Sequence, residues 1–189
     1  MQTASSNRLS PPKTPRRCNV RGVRIRPAEL SDADAIAEIY NAEVLGSTAT
    51  FDLVPRSAKD QRVWLLERSG ALAVLVAETD GAPAGSASIA GYASLSKFRD
   101  RPAYSTTVES SVYIGEQHRR QGLAKQLMEE LLITAKSHGF HAVIARISDS
   151  QGGSLRLHEQ LGFELVGVER EVGRKFGRWL DVSVMQVLL

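Results

Sequence analysis

The sequence predicts an α/β protein in which helices flank one mixed, mostly antiparallel β-sheet. Two β-type runs, residues 72–79 and 84–92, meet at Asp80-Gly81, a dipeptide that favours a tight hairpin and therefore antiparallel pairing. Farther along, the β-type run 104–114 leads through a glycine turn and a helical pattern into the run 142–147. A crossover of this kind joins parallel strands, so the predicted sheet is mixed.

The chain before the hairpin predicts a short strand at 23–26 and two helices separated by a polar loop at 46–52. Ser and Asp residues at 31–34 predict a capped start for the first helix, and Ser57 with Asp60 predicts a capping box for the second. The first helix has an apolar face of Ile36, Ile39, Tyr40 and Val44, and the second carries Val63, Trp64 and Leu66.

The chain after residue 117 predicts two more helices and three more strands. The helix at 123–138 has an apolar stripe and ends at Gly139, and the strand 142–147 follows it. The remaining elements are a short helix at 154–161 and final strands near 164–172 and 180–188.

Length and composition predict one domain, which we assign to residues 23–189. A chain of 189 residues with 42% hydrophobic side chains can form one core of its own. No apolar run approaches the roughly 20 residues of a membrane helix, and the N-terminus lacks the apolar block of a secretory signal. Cys18 is the only cysteine, so an intrachain disulfide is excluded. We therefore expect a cytoplasmic protein with no membrane partner.

Residues 1–22 predict a disordered basic tail. They contain five basic residues and no acidic one, and the rest of the chain has 19 basic against 21 acidic residues, a net charge of −2. Rich in Ser, Thr, Pro and Arg, the tail cannot contribute to a core. A nucleic-acid tether and a transit peptide are alternatives, although the amphipathic helix of a transit peptide is missing. We favour an extension without a part in catalysis and expect no nucleic-acid partner.

The segment 117–124, which we call the cradle, carries the clearest chemical signal. It follows a strand and opens a helix, and Gly122 and Ala124 let a ligand approach the backbone closely. Free N–H groups and the helix dipole favour an anion at this point, with Arg119 and Arg120 screening its charge. An ordinary turn between a strand and a helix would explain the same residues.

Glu109 is an unusual residue for the middle of a β-type run. Period-2 alternation places it on one face with Ser111 and Tyr113. A carboxylate there opposes strand propensity and costs desolvation. One explanation is a salt-bridged or edge glutamate. The other is a general base with a raised pKa that removes a proton from an amine.

His158 lies in an otherwise leucine-rich helical segment, where both a structural and a catalytic or binding role are open. The other histidines, His118, His138 and His141, show no metal-ligand spacing with it or with a cysteine cluster, so no metal is expected. The sequence has no Gly-x-Ser-x-Gly elbow and no phosphate-binding loop ending in Gly-Lys-Ser/Thr, which disfavours α/β-hydrolase and NTP chemistry.

The spacing Arg119-x-x-Gly122-x-Ala124 resembles the acyl-CoA signature of the GNAT acetyltransferases. Four further blocks, in order along residues 23–188, resemble the phosphinothricin acetyltransferase branch. They are 47–51, 98–104, 107–114 and 173–182. The resemblance implies the GNAT acyl-CoA N-acyltransferase fold, with a splayed sheet that admits both substrates at once, and relatives suggest a homodimer.

The same resemblance implies direct transfer of an acetyl group from acetyl-CoA to an α-amino group. The acceptor would be phosphinothricin, methionine sulfoximine or sulfone, or a similar small amino acid. Glu109 matches the family's catalytic glutamate, and His158 stands where many members have a tyrosine that can protonate the leaving thiolate; His158 could do this or hold the acceptor amine. The implied CoA-binding residues are Val112, Tyr113, Ile114, Arg119, Arg120, Gln121, Gly122, Leu123, Ala124, Gln151 and Ser154. The implied acceptor-binding residues are Phe51, Arg99 and Arg101.

Two departures from the family pattern bear on the acceptor and the CoA arm. Members often have Asn at the position of Gln151 and a Thr-Glu pair in place of Leu53-Val54; the second difference leaves acceptor identity open. Acetylation of protein or peptide N-termini is an alternative that would need an open acidic groove in place of Arg99 and Arg101. A CoA-binding regulatory module without turnover is another, which Glu109 argues against. For Trp179 and Val182 we expect core packing or dimer contact rather than ligand contact.

Overall fold

The computed structural model describes residues 22–68, 70–79, 88–148 and 152–189. Residues 1–21 of the predicted tail, the Asp80-Gly81 turn and Gln151 lie outside this part of the chain. The elements are, in order, β1 (Val23–Pro27), α1 (Ala33–Gly46), α2 (Ala58–Leu66), β2 (Val74–Thr79), β3 (Ser88–Lys97), β4 (Thr107–Ile114), α3 (Leu123–Ser137), β5 (Ala142–Ser148), α4 (Gly152–Gln160), β6 (Glu164–Lys175) and β7 (Arg178–Leu188).

The strands form a seven-stranded mixed sheet in the order β1-β2-β3-β4-β5-β7-β6. The β2–β3 pair is antiparallel and the β4–β5 pair is parallel, as predicted. The register of β4 and β5 covers four residue pairs and ends at Ser110 and Ala145. Both strands continue beyond that point, β4 to Ile114 and β5 to Ser148, so the sheet opens between them.

Two hydrophobic clusters cover the two faces of the sheet. One contains the stripe of α3, including Leu127 and Leu131, and the other contains Ile36 and Tyr40 of α1. Strand β4 contributes to both, because Val108, Val112 and Ile114 pack with the α3 cluster and Tyr113 packs with the α1 cluster. This confirms the alternation expected for β4. It also places Glu109 on the face that carries α1, since residues two apart share a face.

The structure differs from the predictions at two element starts. The α1 start has no side-chain cap; instead, Asp32 accepts from the Glu29 N–H at 2.8 Å and pairs with Arg26 at 2.7 Å, so the acidic residue ties a short 3₁₀ turn to β1. Strand β4 begins at Thr107 rather than residue 104, because Pro102 opens a 3₁₀ turn that runs to Tyr104.

Helix α2 has the predicted cap, and its Trp64 packs against the α1 cluster. The Ser57 hydroxyl accepts from the Asp60 N–H at 3.1 Å. Gln61 and Leu65 are buried, whereas Val63 and Leu66 are exposed, because the helix turns the i and i+4 positions toward α1. Among the described residues, no helix is long and apolar enough to cross a membrane.

Candidate active site

A groove of about 630 Å³ lies where β4 and β5 part. The end of β4, the start of α3 and the inner side of α4 form its walls. Ten of the predicted site residues line it: Val112, Tyr113, Ile114, Arg119, Arg120, Gly122, Leu123, Ala124, Ser154 and His158. Gln121 does not; its side chain donates to the Gln117 carbonyl at 3.2 Å.

The cradle has the backbone geometry of an anion site. Gly122 stands in the left-handed region at φ 82° and forms the N-cap of α3, without a side-chain cap. The first helical bond runs from the Gln126 N–H to the Gly122 carbonyl at 3.2 Å, so the N–H groups of residues 123–125 are the unpaired first-turn donors. Residues 122–125 line the groove. These donors fit a pyrophosphate, and the free edge of β4 beside them fits an extended pantetheine chain.

Arg119 is engaged within the protein. Its guanidinium pairs with the carboxylate of Glu43, on α1, and also donates to the Ile114 carbonyl at 3.3 Å. Glu43 is only 7% exposed and lines the groove. Both arginines of the cradle are exposed, but Arg119 also ties the cradle to α1. Glu43 was not predicted from the sequence; the available signal was an acidic residue three positions after Tyr40, beside the apolar stripe of α1.

Glu109 is half-buried on β4, in register with Ile144 and one residue before the last β4–β5 pair. Burial raises the pKa of its carboxyl. The Arg146 guanidinium lowers that pKa and the Glu169 carboxylate raises it. Arg146 and Glu169 pair with each other, with Nη1 and Oε1 3.0 Å apart. Glu109 is thus a carboxylate of raised pKa beside an ion pair, at the point where the sheet opens.

His158 lies inside the wall of the groove and is only 3% exposed. Its Nδ1 is 2.8 Å from the Ser154 carbonyl oxygen, and its ring packs edge-on against Phe163 at 4.9 Å between centroids. A carbonyl can only accept, so Nδ1 carries the proton and Nε2 of the neutral ring is an acceptor. Burial lowers the pKa of this imidazole.

The predicted acceptor residues lie outside the walls of the groove. Arg99 and Arg101 are exposed on the segment after β3, and the Arg99 guanidinium stands over the Phe98 ring at 4.9 Å. Phe51 is 39% exposed and lies against Gly173 of β6. Its loop reaches the groove through Ser47 and Ala49, and Thr48 accepts from Ser148 of β5 at 3.5 Å.

No three His, Cys, Asp or Glu side chains within the described ranges come together in an arrangement that could hold a metal ion. The groove offers main-chain donors and the buried imidazole of His158. The carboxylate of Glu43 in its wall is paired with Arg119, and the half-buried carboxylate of Glu109 lies on β4 outside the walls.

An opened sheet with a glycine-led helix start at the gap is the construction of an acetyl-CoA-dependent N-acetyltransferase. The chain belongs to the acetyltransferase (GNAT) family, whose sequence profile matches residues 34–163. Family membership confirms the enzyme class, and similar solved structures that contain acetyl-CoA confirm the fold and the donor.

Individual relatives cover most of the chain. The L-methionine sulfoximine/L-methionine sulfone acetyltransferase of Pseudomonas aeruginosa is 35% identical over 165 residues, 87% of this chain and 94% of that protein. The crystal structure of a phosphinothricin acetyltransferase from Sinorhizobium meliloti, in complex with acetyl-CoA, is similar at a TM-score of 0.82 and 36% identity, covering 89% of each chain. The crystal structure of a ribosomal-protein-alanine N-acetyltransferase from Brucella melitensis is also similar, at a TM-score of 0.82 and 35% identity. The match covers 87% of this chain and 99% of the other.

Proposed function

We propose that the protein acetylates the α-amino group of a small amino-acid-like acceptor such as phosphinothricin, methionine sulfoximine or methionine sulfone. The main support for this reaction is the environment of Glu109, a half-buried carboxylate of raised pKa near the point where β4 and β5 part. Relatives named for these acceptors align over most of both chains and support the choice of acceptor class.

Acetyl-CoA supplies an activated acyl thioester. The end of β4 holds its pantetheine arm through main-chain groups, and the cradle amides hold its pyrophosphate. Glu109, directly or through a water, removes one proton from the acceptor ammonium. The freed amine nitrogen attacks the thioester carbonyl carbon, which main-chain N–H groups polarise, and the C–S bond breaks.

His158 enters this scheme as a hydrogen-bond acceptor. To donate a proton from Nε2 the ring would have to be doubly protonated, a form that its lowered pKa makes scarce near neutral pH. The attacking nitrogen still carries a proton that it must lose, and the leaving thiolate takes up one proton. We infer that the proton lost by the nitrogen passes to the thiolate sulfur, directly or through solvent. Nε2 of His158 accepts a hydrogen bond from the thiol or the amine.

Arg99, Arg101 and Phe51 are the proposed acceptor contacts. Guanidinium groups bind carboxylate or phosphinate oxygens in a bidentate way, which suits acceptors that carry a carboxylate, a phosphinate or both. Phe51 offers an apolar surface to the aliphatic chain. Phe51 follows Ala49, a residue of the groove wall, by two positions in the same loop, and this supports its assignment as an acceptor contact.

We also propose that the protein forms a homodimer through β6 and the β6–β7 turn. Strand β6 is at the edge of the sheet and carries a row of exposed apolar side chains. Such an edge is a liability unless a partner covers it. The exposed residues are Leu165, Val166, Val168 and Val172 on β6, Phe176 in the turn and Trp179 on β7. Val182 is buried in the core, as expected. Light scattering of the purified protein tests this directly.

A second function, acetylation of protein N-termini, is favoured by the similarity to the Brucella enzyme. The two are separated by a thiol-release assay with acetyl-CoA. The acceptors are phosphinothricin, methionine sulfoximine, methionine sulfone, ordinary amino acids and short peptides with a free N-terminal alanine. We expect kcat/KM to be highest for the sulfoximine, sulfone or phosphinothricin. Higher kcat/KM for the peptides would overturn the proposal in favour of the second function.

A further inference from the structure

The hairpin of β6 and β7 changes register before it reaches the loop that carries Phe51. Glu169 is paired with Val182 and Gly173 with Leu180, so three residues of β6 stand opposite the single residue Asp181. Within this bulge Glu171 has φ 52°, and its N–H donates to Asp181 Oδ1 at 2.8 Å. Bulges redirect the side chains that follow them. The end of β6, residues 173–175, is directed in this way toward the loop 46–52.

Gly173 makes room for the ring of Phe51. A Cβ atom at this position would lie 2.0 to 2.7 Å from three ring carbons. The backbone of Gly173 is not in the left-handed region, so its conformation alone does not require glycine. The ring lies on the bare main chain of β6, and any larger residue would push it away.

Lys175, two residues farther along the same face, holds the loop beside that ring. It is only 4% exposed, and its Nζ donates to the carbonyls of Thr50 at 2.8 Å and of Glu43 at 3.4 Å. A buried ammonium is costly unless it is hydrogen-bonded. On the other side of the loop, the Tyr40 hydroxyl bonds to Thr50 Oγ1 at 2.8 Å and donates to Asp52 at 2.6 Å. Thr50, next to Phe51 in the chain, is therefore fixed from both sides.

We propose that Gly173 and Lys175 are positioning residues that determine acceptor selectivity. They do so by fixing where the ring of Phe51 lies on β6 and how it is oriented. The inference rests on the proposed function, in which Phe51 contacts the aliphatic chain of the acceptor. Because Ser47 and Ala49 of the same loop line the groove, a displaced ring changes the space left for an acceptor side chain.

The test compares Gly173→Ala with Gly167→Ala, on the same strand, where a Cβ would meet no atom within 4 Å. Lys175→Met removes the ammonium and keeps an unbranched side chain. In the two test variants we expect KM for methionine sulfone to rise about tenfold, the size of effect produced by one methyl group in a pocket, with KM for acetyl-CoA unchanged. Gly167→Ala leaves both KM values as they are. In a Phe51→Ala background, Gly173→Ala has no further effect.

Hydrogen exchange separates the positioning role from the acceptor assignment. The Asp52 N–H donates to Thr50 Oγ1 at 3.2 Å, and its exchange becomes faster in Gly173→Ala and Lys175→Met but not in Gly167→Ala. Unchanged exchange in both variants overturns the inference. Faster exchange with unchanged acceptor KM overturns the selectivity role together with the assignment of Phe51. If the proposed function itself is wrong, the wild-type protein acetylates none of the small acceptors in the thiol-release assay, before any variant is compared.

Discussion

The cradle side of the groove comes from one contiguous stretch of chain, whereas the loop side is assembled from segments far apart in sequence. The end of β4, the cradle and the start of α3 are continuous, and they offer mainly main-chain groups. On the loop side, Phe51 lies on Gly173, and the bond from Lys175 to Thr50 spans 125 positions. Main-chain binding tolerates sequence change, but binding by assembled side chains does not. Relatives of this chain can therefore share a donor and differ in their acceptor.

The largest expected effect comes from Glu109, on β4 beside the groove. Glu109→Gln is expected to lower kcat about 100-fold or more, since it removes the group that takes the proton from the amine. Affinity for CoA, measured by calorimetry, stays near the wild-type value because the residue is outside the groove walls. An undiminished kcat would remove Glu109 as the base.

The next effect belongs to the cradle. Gly122→Ala puts a residue with a Cβ in the strained left-handed conformation, and we expect relief of this strain to displace the amides at the start of α3. We therefore expect KM for acetyl-CoA to rise about tenfold, roughly 1.4 kcal/mol. Gly139→Ala is the matched control, because Gly139 also has φ 82°, follows the other end of α3 and has no atom within 4 Å of a Cβ. Both variants lose similar thermal stability. Equal effects on KM in the two would show that the cradle amides do not bind the donor.

On the loop side, Arg101→Ala is expected to raise KM for an acceptor with a free carboxylate by about tenfold, with little change in KM for acetyl-CoA. Arg101→Lys keeps the charge and loses the bidentate geometry, so it recovers only part of the affinity. A change confined to KM for acetyl-CoA would contradict the assignment of Arg101 to the acceptor.

The smallest effects concern the ion pair beside Glu109. The active form of this base is ionised, so kcat/KM rises as pH increases through its pKa, which burial raises above the ordinary glutamate value. Arg146 lowers this pKa and Glu169 raises it. The acid limb of the pH profile is therefore expected to move to higher pH in Arg146→Gln and to lower pH in Glu169→Gln. Shifts in the same direction would show that the pair does not act on Glu109 electrostatically.

The cradle could be predicted from sequence because all its parts are local. A β-type run, a glycine and a helical pattern are neighbours in the chain, and the order alone places free amides at the start of α3. The alternation of β4 was correct for the same reason, since it depends only on the period of a strand. Arg119 is the exception, because its partner Glu43 comes from another element.

On the loop side the family resemblance implied Phe51, but the contacts that hold Phe51 could not be predicted because nothing local marks them. In the sequence Gly173 is not distinguished from other strand glycines, and its role becomes visible only from its contact with the ring of Phe51. Lys175 reads as a surface residue, and its burial follows from the carbonyls of a loop and a helix end that tertiary structure brings to it. The bulge of β6 opposite Asp181 also decides which later residues of the strand face the loop, and it depends on pairing with β7.

The parting of β4 and β5 has a consequence for handling the protein. Two half-free strand edges in the middle of a sheet expose main-chain donors and acceptors that another extended chain can satisfy. A bound donor covers these groups, and a ligand that binds only the folded state stabilises it by mass action. Storage buffers that contain CoA are therefore expected to protect the purified protein from aggregation, and removal of CoA by dialysis is expected to promote precipitation.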